Sequence, residues 1–372
     1  MGIKPIGKLK ADKSVFIISL LFLGFYFSSV VSAFYSSNFD EALRKLILKL
    51  PILITPLLIN AFWVTDRKLL PIFSAIFCYA AFLPASVSVF NYLSNKDYFD
   101  ILILQSKPLP IEFGYGIYHI QFSIFLALAT ALGAYECIRA IKHKNKSIIV
   151  YFIALITAFN FVFIHILSAR TGLISLYMAL LILLISASSG MRSKYKFGIL
   201  TLLIIVPITM YFMSSSLRNR LTNTIIDMKV VMNSANPNDY SFAMRVEAWK
   251  NATELIKEHP LLGVGIGDAE IELKNNFEKA ITKLEPKNRK NPHFQLLETA
   301  VQSGLISALL LLSLIIYTVA SQWHKNPLAV AFMLLLLIAS CFESILERQA
   351  SVVCFAAMIA YSMGFKNTDK VK

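Results

Sequence analysis

Charged side chains are scarce in this 372-residue chain: Asp, Glu, Lys and Arg make up 16% of it, against roughly a quarter in a typical soluble domain. A larger soluble core does not explain the deficit, because the apolar residues come in runs of membrane-spanning length. Cysteine is scarce too. Cys78, Cys137, Cys341 and Cys354 all fall in or at the ends of apolar runs. That excludes a disulfide framework in the polar part of the chain and leaves no paired metal-ligand spacing. Acidic residues are outnumbered, 22 against 36 Lys and Arg, for a net charge of +14. The excess lies mostly in short segments between apolar runs, so nucleic-acid binding has no support and no nucleic-acid partner is expected.

What the chain does have is helix-length apolar sequence. Backbone polar groups in hydrocarbon must be satisfied within their own segment, so such runs are read as helices. Spans are expected at about 14–34, 45–63, 70–90, 115–138, 148–168, 173–189, 198–213, 301–322, 328–343 and 351–365, ten within a range of ten to twelve. The first run follows Lys4, Lys8, Lys10 and Lys13. It is too long for the apolar part of a secretory signal and has no obvious small-residue cleavage site, so it is expected to be retained. The expected fold class is an all-α polytopic membrane protein. An N-terminal bundle of about seven helices (1–213) is followed by a large loop (214–300) and about three C-terminal helices (301–372). With the N-terminus inside, Lys and Arg number 17 in the inner segments and 7 in the short outer ones. The positive-inside bias then predicts cytoplasmic termini and a large loop on the outer side. With 12 basic and 11 acidic residues, that loop is close to neutral.

The loop has internal order. Ser241 or Asp239 is positioned to cap a helix that runs to about His259 and is stopped by Pro260. Phe242, Val246, Trp249, Ala252, Leu255 and Ile256 form one face, with Lys250, Asn251, Glu254 and Glu258 elsewhere. A second helix is expected over about Asp268 to Leu284, and Asn291-Pro292 reads as the cap and first residue of another. Asn233 to Asn238 is the most loop-like stretch. This pattern suits a segment lying on the membrane surface with its apolar side over the bundle.

Three residues stand out chemically. Arg170 occupies a very tight connection, Ser168-Ala169-Arg170-Thr171-Gly172, where a guanidinium is costly unless it snorkels or meets an anion. It reads either as an interfacial anchor or as an anion clamp with bidentate geometry for phosphate. Arg245 alone reads as a solvated or Glu-paired residue. His293 is placed in the first turn of a helix entering the membrane, where the helix dipole disfavours imidazolium and leaves a ring able to accept a proton. A polar interfacial side chain is the other reading. Glu298, five positions on, is not on the same face, and Gln295 is undecided. His119 and His165 fall toward outer span ends and Glu136 toward an inner one. Arg348 is expected to pair with Glu347 rather than join the outer mouth. The stretch His259-Pro260-Leu261-Leu262-Gly263-Val264-Gly265-Ile266-Gly267 lacks the preceding strand and the Lys-Ser/Thr of nucleotide loops. A close backbone turn is expected there instead.

Taken together, Ser-Ala-Arg170-Thr-Gly, Arg245-x-x-x-Trp249, His259-Pro-Leu-Leu-Gly-Val-Gly, Asn-Pro-His293 with Leu-Leu-Glu298, and Gly304-Leu-Ile resemble the O-antigen ligase and polymerase superfamily over roughly residues 115–345. Phe294 stands where that family commonly has Asn. The resemblance implies a GT-C-type glycosyltransferase at the outer face of the bacterial inner membrane. Its donor would be a glycan on polyprenyl (undecaprenyl) diphosphate, and its acceptor a sugar hydroxyl of lipid A–core or of another glycan. It also implies roles: Arg170 and Arg245 on the diphosphate and His293 as general base; Gln295, Glu298 and Arg348 are kept beside them only as supporting candidates. The reaction would be a single inverting displacement needing no cofactor or metal. An O-antigen polymerase and a protein O-oligosaccharyl ligase stay open within the superfamily. Outside it a transporter or a docking scaffold stays open, although no buried acidic relay or matched pair of broken helices suggests transport.

Overall fold

The computed structural model describes residues 13–64, 70–104, 111, 118–187, 191–280 and 282–364. Lys4, Lys8 and Lys10, and with them several of the segments that entered the charge asymmetry (most of 64–69, parts of 91–114, and 366–372), lie outside the described residues. The chain is all-α, with no strand among the described residues. Its helices are α1 (Lys13–Phe34), α2 (Phe39–Val64), α3 (Leu70–Ser94), α4 (Lys96–Leu104), α5 (His119–His143), α6 (Ile148–Leu167), α7 (Arg170–Ile182), α8 (Ser193–Met213), α9 (Ser215–Met232), α10 (Ser241–Glu258), α11 (Ala269–Lys279), α12 (Gln295–Gln322), α13 (Pro327–Phe342) and α14 (Gln349–Gly364). Within the described residues, each of the ten expected spans falls on a helix. Six (in α1, α3, α5, α6, α8 and α12) are long and apolar enough to cross a membrane, and α7, α13 and α14 are shorter apolar helices. The chain is a multi-pass membrane protein.

The helices pack as neighbours that sequence order alone does not reveal. α5, the most enclosed of the long apolar helices, is held between α3, α6 and α7; α1 lies along α12, α2 along α14, and α13 against α7 and α12. α8 buries none of its residues. A helix this apolar and this little covered by protein is stable where hydrocarbon covers the rest of it.

The loop contains one more helix than expected. α9 is capped by Ser214, whose hydroxyl accepts from the Leu217 N–H at 3.2 Å, and it buries only Leu217 and Asp227. Asp227 makes a further correction. α10 has Tyr240 at its cap position with no side-chain cap of its own, so neither Ser241 nor Asp239 caps it. The Asp227 carboxylate, reaching over from α9, accepts from the Phe242 N–H at 3.1 Å instead. Asn251, assigned to the polar face, is buried: its amide donates to the Leu273 carbonyl at 3.0 Å and fixes α11 beside α10. α11 ends at Lys279, earlier than expected, and the chain then returns through a short turn at Pro286–Asn288. The apolar side of α10 and α11 (Ala252, Leu255, Ile256, Ala269, Leu273) meets Ala300 and Val301 of α12, so the loop does roof the bundle.

The glycine-rich stretch after α10 is a splice into α12. α12 is broken at Gly304 (φ 81°, ψ 174°), a region of backbone space essentially reserved to glycine, which costs an L-residue about 1–3 kcal/mol and glycine little. The break frees backbone groups that the stretch then satisfies. Val264 N–H donates to Val301 O at 2.9 Å, Gly265 N–H to Gln302 O at 3.2 Å, and Leu305 N–H to Pro260 O at 2.9 Å. Beyond them Ile266 N–H reaches Ser32 Oγ at 2.8 Å, and Asp268 accepts from the Ser37 and Asn38 N–H groups at 2.6 and 2.8 Å, holding the turn before α2, which Asn38 caps by accepting from the Glu41 N–H at 3.2 Å. The expected close turn is there, and it ties the loop to α1, α2 and α12 at once.

Candidate active site

Four elements meet where the loop covers the bundle. α6 ends on Ser168 in the left-handed conformation (φ 54°), so the chain reverses within two residues and Arg170 opens α7. Arg245 lies in the second turn of α10. His293 does not sit in the first turn of α12, which begins at Gln295; it precedes the helix with φ 48°. Trp249 accounts for that geometry. Its Nε1–H donates to the Pro292 carbonyl at 2.8 Å, and its ring packs on Phe294 with centroids 5.9 Å apart. The chain is held outside the helix at Pro292, Phe294 is extended, and α12 starts only at Gln295. The ring therefore takes its surroundings from a carboxylate rather than from a helix turn.

That carboxylate is Glu343, at the end of α13. One oxygen accepts from Arg245 Nη2 at 2.9 Å, and the other lies 3.3 Å from His293 Nδ1. The two residues that the sequence placed 48 positions apart thus share one counter-ion. They line a cavity of about 330 Å³ together with Tyr118, Lys290, Glu343 and Arg348. Arg348 stacks over Tyr118, with Cζ 4.6 Å from the ring centroid. It does not pair with Glu347, because Glu347 is taken by Lys49 at 3.0 Å.

Arg170 lies in an adjoining cavity of about 290 Å³, which shares Ser241 with the first and also holds Arg220, Asn223, Asp227 and Asp239. Its Nη1 donates to Thr224 Oγ1 of α9 at 2.6 Å, and it is within electrostatic reach of the Asp227 carboxylate and, after it, of Arg245. Three of the four cationic or imidazole residues singled out (Arg245, His293 and Arg348) therefore line one cavity, and Arg170 stands in the next.

Gln295 and Glu298 are placed elsewhere. Gln295 is fully buried; its Oε1 accepts from the Leu346 N–H at 2.7 Å and its Nε2 faces Thr299 and Glu347. Glu298 is buried against Gln302, which donates to it at 3.2 Å. Lys49 joins Glu347 to Gln302 in the same cluster. These residues anchor the turn at Ile345–Glu347 behind the cavity and do not line it. His165 is committed as well, with Nδ1 at 2.7 Å from the Phe161 carbonyl and Nε2 at 2.7 Å from the Tyr177 hydroxyl. Glu136 pairs with Arg139 at 3.1 Å and with Ser74 and Tyr361 in a separate buried cluster.

Sequence reasoning missed Glu343 as the partner of His293, because no local spacing connects residues on α13 with the turn before α12. It also missed Arg220, whose helix was not anticipated. Residues 152–312 match the family model described as O-antigen ligase. The match runs from α6 through the first part of α12, covers 161 of the 372 residues, and includes Arg170, Arg220, Arg245 and His293. No curated protein matches the chain.

Proposed function

We propose, on the match of residues 152–312 to the O-antigen ligase family model, that the protein transfers a glycan from polyprenyl diphosphate to a sugar hydroxyl. The acceptor of first choice is the saccharide of lipid A–core. The loop-bearing end then faces the periplasm of the bacterial inner membrane, an orientation that agrees with the Lys/Arg bias. The observation that carries this reading is the shared counter-ion: Glu343 holds Arg245 at 2.9 Å and His293 at 3.3 Å on the wall of one cavity.

The chemistry follows from those positions. With Nδ1–H donated to Glu343, His293 presents the Nε2 lone pair to an acceptor hydroxyl as general base. The hydroxyl oxygen forms its bond to the anomeric carbon as the bond to the diphosphate oxygen breaks. The proton passes to His293, and the electron pair leaves with the diphosphate. Arg245 and Arg170 stabilise the charge that grows there. One displacement inverts the anomeric configuration. Gln295 and Glu298 take no direct part in this scheme, and Arg348, stacked on Tyr118, is left as a sugar- or phosphate-facing cation on the cavity rim.

The test is transfer by the purified protein in proteoliposomes with a glycosylated polyprenyl diphosphate. His293→Ala and Arg245→Gln are expected to lose activity on the order of 10²-fold or more while keeping the wild-type melting temperature. Near-wild-type transfer by both would remove the assignment. Deleting the gene separates ligase from polymerase. Lipid-linked polymer accumulates when attachment is lost, and single-repeat products appear when polymerisation is lost.

A further inference from the structure

At the end of α6 remote from Arg170 lies a groove for which the scheme above has no use. Ile72, Ala75, Ile76 and Tyr79 of α3 line it together with Ile148 and Phe152 of α6, around a volume of about 460 Å³. Both helices begin at this end. α6 has 20 residues, so about 30 Å separates the groove from the start of α7. Farther along, the two helices are clamped: Asn160 Nδ2 donates to the Cys78 carbonyl at 3.1 Å, and the Phe82 and Phe159 rings meet at 4.8 Å between centroids. Before that clamp the short Ala75 side chain leaves space, and the Tyr79 and Phe152 rings stand 6.2 Å apart in the wall.

α3 and α6 are both long and apolar enough to cross a membrane, and Ile76 and Ile148 of the groove are exposed. The groove therefore opens on hydrocarbon. Lipid tails are as apolar as these side chains, so a tail fills the groove without choosing one lipid over another. Any choice comes from the headgroup end, which is the turn between α5 and α6. Lys142, His143, Lys144 and Lys146 are all exposed there. The turn is ordered. Lys144 ends α5 in the left-handed conformation (φ 53°), Asn145 Oδ1 accepts from the Ser147 N–H at 3.0 Å, and Ser147 Oγ accepts from the Ile149 N–H at 3.3 Å. Lys146 is thereby fixed two residues before Ile148, its backbone at most about 7 Å from the groove wall. Lys144 and Lys146 form no ion pair among the described residues. The sequence holds no Asp or Glu from Cys137 to Ile226, and Glu136 is buried against Arg139.

We infer that this groove is a binding site for an anionic phospholipid: one acyl chain lies between α3 and α6, and the headgroup phosphate meets Lys144 and Lys146. The lipid sits in the leaflet opposite the large loop, which is the cytoplasmic leaflet when that loop is periplasmic. Lysines just outside a span attract anionic headgroups, and their alkyl stems let the ammonium groups reach the interface from the helix ends. The groove adds what a basic surface alone lacks, a fixed place for the tail beneath the phosphate. The site is independent of the glycosyl-transfer chemistry at the other end of the bundle.

The experiment reads lipid choice at the groove itself. Phe152→Trp puts an indole in the groove wall of the full chain, which is reconstituted in phosphatidylethanolamine with brominated acyl chains that quench tryptophan on contact. Wild type gives the background from the native tryptophans. Unbrominated phosphatidylglycerol is then added, and recovery of fluorescence gives its affinity relative to the brominated lipid. A preference for phosphatidylglycerol of about tenfold is expected. Lys144→Gln together with Lys146→Gln is expected to bring the ratio close to one. Ala75→Phe, which narrows the groove and leaves the charge alone, is expected to reduce quenching by the brominated lipid. Phe197→Trp lies at the start of α8 beside Lys194 and Lys196, outside the groove. It reads diffuse attraction only, and a markedly smaller preference is expected there. A ratio near one in Phe152→Trp overturns the inference. So does an equal preference in Phe197→Trp, which would mean that basic residues merely gather anionic lipid around the bundle. Displacement of phosphatidylglycerol by polyprenyl monophosphate also overturns it, by making the groove a prenyl site. If Phe152→Trp does not fold, native mass spectrometry of wild type and the double lysine variant decides, and equal retention of phosphatidylglycerol by the two overturns the inference.

Discussion

Gly263 and Gly304 face each other across the splice between the loop and α12. A Cβ on Gly263 would come within 2.7 Å of the Gly304 nitrogen and 2.4 Å of the Val301 carbonyl oxygen, and a Cβ on Gly304 would meet Leu261 backbone atoms at 2.3 Å or closer. Two stretches of backbone approach here without side chains between them, and the loop helix bearing Arg245 is positioned through that contact.

Gly304→Ala is therefore expected to be among the most damaging single changes outside the cavity. It combines a positive-φ backbone penalty of about 1–3 kcal/mol with a backbone clash that no rotamer relieves. Ala at the neighbouring exposed Leu305 introduces neither. The measurement is the melting temperature in detergent together with transfer activity. A variant as stable and active as wild type would show that the splice does not position the loop.

Glu343 makes a second prediction, with opposite effects on two constants. Glu343→Gln removes the carboxylate that orients His293 and also the counter-ion of Arg245. Losing the first lowers kcat, by about 10–10² if the ring then samples unproductive orientations. Losing the second frees Arg245 for phosphate, so KM for the donor stays level or falls. Arg245→Gln should do the reverse to KM. Steady-state kinetics on both variants check this, and a raised KM with unchanged kcat in Glu343→Gln would put Glu343 in a purely structural role.

How far these relationships are legible before folding differs from one residue to the next. The membrane helices are legible because hydrocarbon imposes run length and apolarity on each one separately. α10 is legible from its apolar face, and the glycine stretch from its lack of any nucleotide-loop context. α9 is not, because it buries only Leu217 and Asp227 and no stripe marks it. Its stability comes from contacts such as the Asp227 cap on α10. The His293 turn was misplaced for a related reason. Asn291-Pro292 is a sound local helix start, but the Trp249 bond to Pro292 overrides it from another helix. Glu343 and Lys49 acquire their partners only when α13, α12 and α2 are side by side.

The buried cluster behind the cavity gives the last prediction, a dependence on pH. The Lys49 side chain is almost fully enclosed against a largely buried Glu347, at 3.0 Å. Burial alone would raise the Glu347 carboxyl, but the Lys49 and Lys45 charges outweigh it and hold the group below the usual carboxylate value. A carboxyl lowered on folding stabilises the protein fully above its unfolded value, near 4.5, and loses that contribution as pH falls through the folded value. The melting temperature of wild type should thus decline below about pH 4.5. Lys49→Met strands the Glu347 charge and should cost about 3–5 kcal/mol. The double change Lys49→Met with Glu347→Met removes both charges together, so it should recover much of that loss and show a shallower decline in acid. Because Glu347 belongs to the turn that carries Glu343 and Arg348 to the cavity, the single variant should also lose transfer activity without any change among the cavity-lining side chains. If the single and double variants melt alike at pH 7 and share the wild-type acid slope, the pair does not hold that turn.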